Sequence, residues 1–288
     1  MTPRNNRSEF WGYLAPPLFW FLIFLVVPLI LIVIYSFSYK ELYGGVTPGF
    51  TFESYSIIFR DVYFTIFIKS FLITTAATIL TILLGYPVAY YLAFSKSKIR
   101  YLFLVLIVLP LWLNFLIKIF SFITIFGENG VLNQFLMALS IIDKPLPLLN
   151  NLWSLITGFL YINLPFFILP VFASLDKLDQ RYIEASLDLG ATPVQTFFRI
   201  ILPQSVPGLM AGVVFTFIPT LSNFLVPEFL GGVNNYMLGN LITSQFLQAR
   251  NWPFGSALSM ILIFMVVFSV SLYLRYYGNT KNNMLSEF

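Results

Sequence analysis

The sequence predicts an all-α membrane protein of six transmembrane helices, and three observations carry that reading. Of 288 residues, 58% are hydrophobic and only 10% are charged, with a mean hydropathy of +0.84. A water-soluble domain carries roughly 25% charged residues to solvate its surface, so lipid must cover much of this one. The apolar residues fall in six runs, each long enough for a helix of about 20 residues to cross the hydrocarbon core. Charged residues sit in small groups between those runs.

The first span is placed at 14–38, inside a stretch without Asp, Glu, Lys or Arg. It is too long for a signal-peptide core and lacks a convincing small-residue cleavage site, so it is expected to be retained. The second and third follow at 66–94 and 101–126; the single Lys118 in the third is expected to snorkel toward the outer surface. The fourth, fifth and sixth are placed at 151–174, 203–228 and 253–277. Residues 10–277 thus form one transmembrane domain between two short tails, 1–9 and 278–288. Two further segments read as amphipathic helices at the outer interface. One is 131–142, with Leu132, Phe135, Leu136 and Leu139 on one face; the other is 229–249, with Leu238, Leu241 and Ile242. The second also carries Asn234, Asn235, Asn240, Gln245 and Gln248, which as a group would be costly in lipid. Pro28, Pro87, Pro110, Pro165, Pro170 and Pro219 lie inside spans. Each removes a backbone donor, and together they suggest bent helices around a path.

Orientation follows from the basic residues of short loops. With the N-terminus inside, ten of the sixteen Lys and Arg fall on the inner side, among them Lys96, Lys98, Arg100, Lys177, Arg181 and Arg199. The twelve acidic residues divide evenly, so both termini are expected to be cytoplasmic. Nothing in the placement of charge resembles a nucleic-acid footprint. The chain has no Cys and no His, which excludes thiol chemistry, disulfides, the usual zinc ligand sets and imidazole catalysis. No catalytic or metal site is expected.

The longest polar stretch on the inner side joins the fourth and fifth spans, LDKLDQRYIEASLDLGATPVQTFFRIILP, with the loop proper at 175–202. Its local chemistry predicts two short helices separated by a sharp break. Asp179 caps the first, and Gly190 ends it in the left-handed conformation. Thr192 starts the second as N-cap, with Pro193 at the first helical position and Gln195 completing a capping box. Such a rigid elbow under the bilayer is well shaped to transmit force.

The elbow resembles the cytoplasmic loop of ATP-binding-cassette importer permeases, which has the form E-A-A, three residues, G, nine residues, I-x-L-P. Here Glu184, Ala185 and Ser186 are followed at that spacing by Gly190, Ile200, Leu202 and Pro203. Ser186 in place of the third alanine is the one departure, a small-for-small change. The resemblance implies a type I importer permease fold with a cytoplasmic coupling helix that docks in a groove of a separate ATPase subunit. Glu184, Ala185 and Gly190 would then form the docking surface and its bend. It further implies an ATPase dimer carrying ATP and Mg, a second permease (favouring a heterodimer), an extracytoplasmic binding protein, and a bacterial inner-membrane location. No cofactor is expected in this chain: a phosphate-binding loop needs G-x-x-x-x-G-K-[ST], and the chain contains no Gly-Lys pair.

A wider likeness, over most of the chain, is to the first permease subunit of spermidine/putrescine importers. It runs through Leu83-Leu84-Gly85-Tyr86-Pro87, Pro110-Leu111-Trp112-Leu113-Asn114, Pro207-Gly208 with Ala211-Gly212, and Asn251-Trp252-Pro253-Phe254-Gly255. Related permeases for iron, thiamine, sulfate and phosphonate share parts of these segments. Polyamines are flexible polycations, best held by carboxylates and aromatic faces, yet no acid lies deep in any span. Glu228, near the outer end of the fifth, is the nearest. With Trp112, Tyr161 and Asn223 it could line a cation path, or it could be a boundary carboxylate reaching interfacial water. An ion-coupled secondary transporter would need acids within the spans. A membrane-embedded enzyme would need clustered acids, and the one cluster, Asp176, Asp179, Glu184 and Asp188, belongs to the elbow.

Overall fold

A computed structural model describes residues 7–95 and 97–286, without the side chains of 7–11, 272–274 and 276–286. Arg4, Lys96 and the outermost residues of both expected tails lie outside the described residues. The helices are α1 (Gly12–Ser36), α2 (Glu53–Ile58), α3 (Asp61–Phe94), α4 (Ile99–Trp112), α5 (Phe115–Phe126), α6 (Val131–Ala138), α7 (Leu152–Leu175), α8 (Gln180–Asp188), α9 (Pro193–Ser222), α10 (Pro227–Gly231), α11 (Leu238–Leu247) and α12 (Trp252–Ser286). Six helical stretches have the length and apolarity to cross a membrane: α1, α3, Phe115–Ala138, α7, α9 and the first part of α12.

The chain packs as two compact units. One comprises the chain up to Phe64 together with Leu241–Met265. In it α1 has none of its apolar window buried by the rest of the chain, so its cover must come from lipid or from another subunit. A π turn at Leu22–Val26 directly precedes Pro28; widening the turn relieves the clash between the proline ring and the carbonyl four residues earlier. After α1 the otherwise helical chain forms a small hairpin, β1 (Tyr39–Lys40) against β2 (Val46–Thr47). Gly44 and Gly45, at φ +95° and +113°, make the turn. Strands of two residues are too short to leave a periodic signal. Phe37, Phe50, Phe52 and Tyr55 pack below the hairpin at centroid distances of 5.2–5.5 Å from the Phe37 ring.

The other unit, Thr65–Asn240 with the chain from Val266 onward, holds the core. Between lipid-immersed helices association rests on van der Waals fit and close backbone approach, since tails are as apolar as leucine. The small residues of α9 provide that approach. A Cβ on Gly208 would lie 2.4 Å from Ser174 Cβ and 2.5 Å from the Pro170 carbonyl, and one on Gly212 would lie 2.8 Å from the Phe167 ring. Gly85 of α3 receives Phe167 from the other side, with 2.6 Å to a Cβ. Two buried clusters result. Tyr86, Ala89, Leu92, Phe167, Val171, Leu175 and Ile201 form one, and Ile73, Ile119, Leu155, Phe159, Val226, Leu230 and Met237 the other.

Three span assignments change. The third span, expected as 101–126, is interrupted: a 3-10 turn at Leu109–Trp112 leads to extended backbone at Leu113, and Asn114 restarts the helix as its N-cap. Pro110 at the start of the turn and Asn114 after it supply the physical reason. The fifth span, expected as 203–228, begins earlier at Pro193 and stops at Ser222. Asn223 then goes extended before α10. The sixth, expected to end at 277, continues as helix to Ser286. Lys118, expected to snorkel, is only 8% exposed. The segment 229–249 does contain an amphipathic helix, α11, but Leu238 and Leu241 are buried in protein, so that face is not free for the interface.

Replacing Gly208 with Ala should lower stability by about 1–3 kcal/mol through overpacking, measured by thermal unfolding of the purified chain in detergent. Gly12→Ala, in a helix where nothing lies within 4 Å of the added Cβ, should not lower it and should raise it by about 0.5–1 kcal/mol through helix propensity.

Candidate functional site

The elbow between α7 and α9 forms as its residues dictate. The Asp179 carboxylate accepts the Arg181 amide at 3.0 Å and caps α8. At the far end Gly190 adopts φ +83°. Its amide donates to the Leu187 carbonyl at 2.9 Å, and the Ala191 amide donates to the Ser186 carbonyl at 3.0 Å. These two bonds are a Schellman motif, which satisfies carbonyls that a helix end otherwise leaves open. The next helix starts at once. The Thr192 hydroxyl accepts the Gln195 amide at 3.3 Å, and the Gln195 side chain accepts the Thr192 amide at 2.9 Å. Gly190 has open space around it. Within this chain it answers to its positive φ, not to close packing, so the expectation of a tight backbone approach concerns a partner's surface only.

The departure at Ser186 has a structural use. Its hydroxyl donates to the Ile183 carbonyl at 2.9 Å and lies 2.8 Å from the Thr196 hydroxyl. With the serine proton so engaged, Thr196 is the donor between them. Both are buried, at 8% and 2% exposure, so the pair locks the two arms of the elbow together. Thr196 had no signal of its own in the sequence.

The opposite face of α8 is open. Tyr182, Glu184, Ala185, Leu187, Asp188 and Leu189 are exposed, Leu189 at 88%. Ile200 and Leu202 are half-buried and Pro203 is exposed. Here Pro203 follows a π turn at Phe197–Ile201, the same accommodation as at Pro28. That turn aims Phe197 between the rings of Tyr86 and Tyr90 of α3, at 5.8 and 6.0 Å. One turn on, the Ser205 hydroxyl lies 2.8 Å from the Tyr86 hydroxyl. The elbow therefore grips α3 through an aromatic wedge and a hydrogen bond. Arg100 at the start of α4 reaches Asp176 at 3.5 Å, so the 95–100 connection and the elbow share one end of the unit.

Of the four expected pathway residues, Asn223 and Glu228 flank one helix break, and only Glu228 lines the cavity there. The Asn223 side chain accepts the Val226 amide at 2.9 Å and so caps the chain as it re-enters α10, the helix that carries Glu228. Glu228 borders a cavity of about 470 Å³ with Asn150, Asn234, Tyr236 and Asn240. Asn240 donates to the Glu228 carboxylate at 2.8 Å and to the Phe224 carbonyl at 2.9 Å, and Lys69 donates to the Asn234 carbonyl at 2.6 Å. Among the described residues the lining holds one carboxylate, Glu228, among asparagine and tyrosine side chains, and a carboxylate is the group that pairs with an ammonium. Trp112 instead lines a separate apolar groove with Leu104, Val105, Val108 and Leu109. Tyr161 stacks edge-on against Phe122 at 5.4 Å. Among the described residues no group of three or more carboxylates could hold a metal ion.

The chain is similar to known transport proteins. Residues 82–278 match the profile of the binding-protein-dependent transport system inner membrane components. The spermidine/putrescine transport system permease protein PotB of Haemophilus influenzae is 38% identical, over 89% of this chain and 90% of its own. PotB of Escherichia coli K12 is 36% identical, over 89% and 93%. A chain of the bacterial alginate ABC transporter, solved in complex with an alginate pentasaccharide-bound periplasmic protein, superposes with a TM-score of 0.76. At 19% identity, over 93% of this chain and 95% of that one, that likeness speaks to fold alone.

Ser186→Ala, which restores the third alanine of the E-A-A pattern, should destabilise the chain by about 1–2 kcal/mol, because it strands the buried Thr196 hydroxyl. Adding Thr196→Val should recover most of that loss in a double-mutant cycle read by unfolding. Equal, additive losses would show that the two hydroxyls do not act on one another.

Proposed function

The chain belongs to the family of binding-protein-dependent transport system inner membrane components, and from that premise we propose that it carries polyamines of the spermidine and putrescine type across the membrane. It is a multi-pass inner-membrane permease, a transport subunit and not an enzyme. The observation that carries the mechanism is the elbow: a capped, internally locked helix with an exposed outer face and an aromatic wedge into α3. A separate ATPase dimer, holding ATP and Mg, grips that face at Glu184, Ala185 and Leu189. Closure of the dimer moves α8, and the Phe197 wedge passes the displacement to the helices that pack on Tyr86. Gly190 and the Ser186–Thr196 pair keep the elbow stiff, so motion at one arm is not lost in bending. Ile200, Leu202 and Pro203 join it to the membrane helix. Both termini and the elbow face the cytoplasm in this reading.

A second permease pairs with this one, as a heterodimer, and an extracytoplasmic binding protein delivers the cargo. The bare surface of α1 supports the pairing, since a helix with no intrachain cover has a face to give to lipid and to another subunit. The substrate class rests on the relatives named for spermidine and putrescine and on the Glu228 cavity, whose carboxylate can pair with an ammonium. Glu228 would pair with one charge of a passing polycation while Asn240 holds its carboxylate in place; Asn223 shapes the break that carries it. With so few acids in this chain, the second permease supplies the other carboxylates. Weak, multi-site contact suits passage better than tight binding.

The test is spermidine uptake by the complete transporter in proteoliposomes, driven by internal ATP. Gly190→Trp should abolish uptake with insertion intact. Glu228→Gln should cut polyamine uptake about ten-fold, the value of one hydrogen bond to a charged group. Transport of sulfate, phosphonate, thiamine or iron in place of polyamine would overturn the substrate class. Uptake by this chain alone on an ion gradient would overturn the ATP-driven reading.

A further inference from the structure

A second polar cavity, of about 480 Å³, opens where α3 hands over to α4. Among the described residues Ser95, Ser97, Lys98, Arg100, Tyr101 and Gln180 line it, and no carboxylate does. Its volume falls in the range of about 300–1,000 Å³ typical of small-molecule sites. The hydrogen bonds around it leave hydroxyl donors on offer. Ser95 Oγ accepts the Ser97 amide at 3.4 Å, Ser97 Oγ accepts the Ile99 amide at 3.3 Å, and Tyr101 Oη accepts from Arg100 at 3.1 Å. Each of the three oxygens is used as an acceptor and keeps its own O–H; among the described residues no acceptor takes those protons. Arg100 is held in place by Asp176 and by the Tyr101 ring, 4.9 Å below it, and Lys98 is exposed beside it. One held guanidinium, an exposed lysine beside it and three hydroxyl donors around one space suit a ligand made of anionic oxygens.

We propose that this cavity binds a phosphate group, supplied by the headgroup of an anionic phospholipid. The neighbouring surface favours a lipid over a free ion. Ala93 and Phe94 form an apolar wall of the cavity, and Leu102, Val105 and Leu106 of the adjoining α4 are more than half exposed. A headgroup in the cavity can therefore lay its acyl chains along bare apolar helix. Basic pockets between membrane helices on the cytoplasmic side are suited to such headgroups. The placement in the inner leaflet rests on the orientation proposed above, because Arg100 and the elbow share one end; the phosphate site itself does not.

The experiment is lipid retention by the transporter complex, purified from vesicles of equal phosphatidylglycerol and phosphatidylcholine and read by native mass spectrometry. No ATP or polyamine is present, so the outcome is independent of transport. The native complex should keep phosphatidylglycerol over phosphatidylcholine. Lys98→Gln, which breaks no hydrogen bond among the described residues, should lower that retention roughly five-fold, and Arg100→Gln at least as much. Arg199→Gln, a cation at the same end but outside the cavity, should leave it unchanged. Excess inorganic phosphate should fail to displace the lipid. If phosphate displaces it from the native complex, and Lys98→Gln weakens that competition, the site stands with free phosphate as its source. Retention unaltered by both cavity substitutions, or lowered equally by Arg199→Gln, would overturn the proposal.

Discussion

The physical constraint that organises this structure is the need to satisfy backbone groups wherever a helix breaks in or near lipid. Water is not there to do it, and each unmet group costs several kcal/mol. The chain answers mostly with asparagine. Asn114 caps α5 by accepting the Leu116 amide at 2.8 Å, and Asn151 caps α7 by accepting the Ser154 amide at 2.9 Å. Asn133 holds the connection after α5, donating to the Gly127 and Leu146 carbonyls and accepting the Leu146 amide. Around the break after α9, Asn223 takes the Val226 amide, Asn240 reaches the Phe224 carbonyl and Asn235 the Gly231 carbonyl. The Leu230 carbonyl is met by Ser154 at 2.7 Å. These bonds hold polar atoms at fixed positions in an otherwise apolar chain. The Glu228 cavity is built from that polar framework.

At the other end the same demand is met by turn chemistry, and there the result is stiffness. A Schellman motif runs straight into a capping box, so the elbow changes direction with its backbone bonds closed on both sides. The Ser186–Thr196 pair ties the arms, and Phe197 with Ser205 fixes the outgoing arm to α3. A lever needs a rigid arm, a free contact face and a firm attachment. In the proposed mechanism those are the locked turn, the exposed side of α8 and the Tyr86–Tyr90 socket.

How much of this was legible in sequence depended on distance along the chain. The caps at Asp179, Gly190, Thr192 and Gln195 could be read because each acts within five residues, and the structure has them all. The spans could be read because apolar run length is a bulk property. Their interruptions at Leu113 and Asn223 were missed because one polar residue in an apolar run looks like tolerated composition; only the extended backbone reveals a cap. Asn234, Asn235 and Asn240 were read as a cost in lipid, when Asn235 and Asn240 are the bonds that close a break. Thr196 escaped notice because its partner lies across the turn. Trp112 was grouped with Glu228 on residue type alone, and type does not say which face of a helix a side chain takes.

The central claim is that the outer face of α8 is a cytoplasmic handle for a separate ATPase. The chain has no native cysteine, so Glu184→Cys places a single thiol on that face. The decisive measurement is its labelling by a membrane-impermeant maleimide in sealed vesicles of each orientation, with and without the ATPase subunits. The account predicts labelling only in inside-out vesicles, and protection once the ATPase is bound. Labelling of intact right-side-out cells, or no protection by the ATPase, would contradict it.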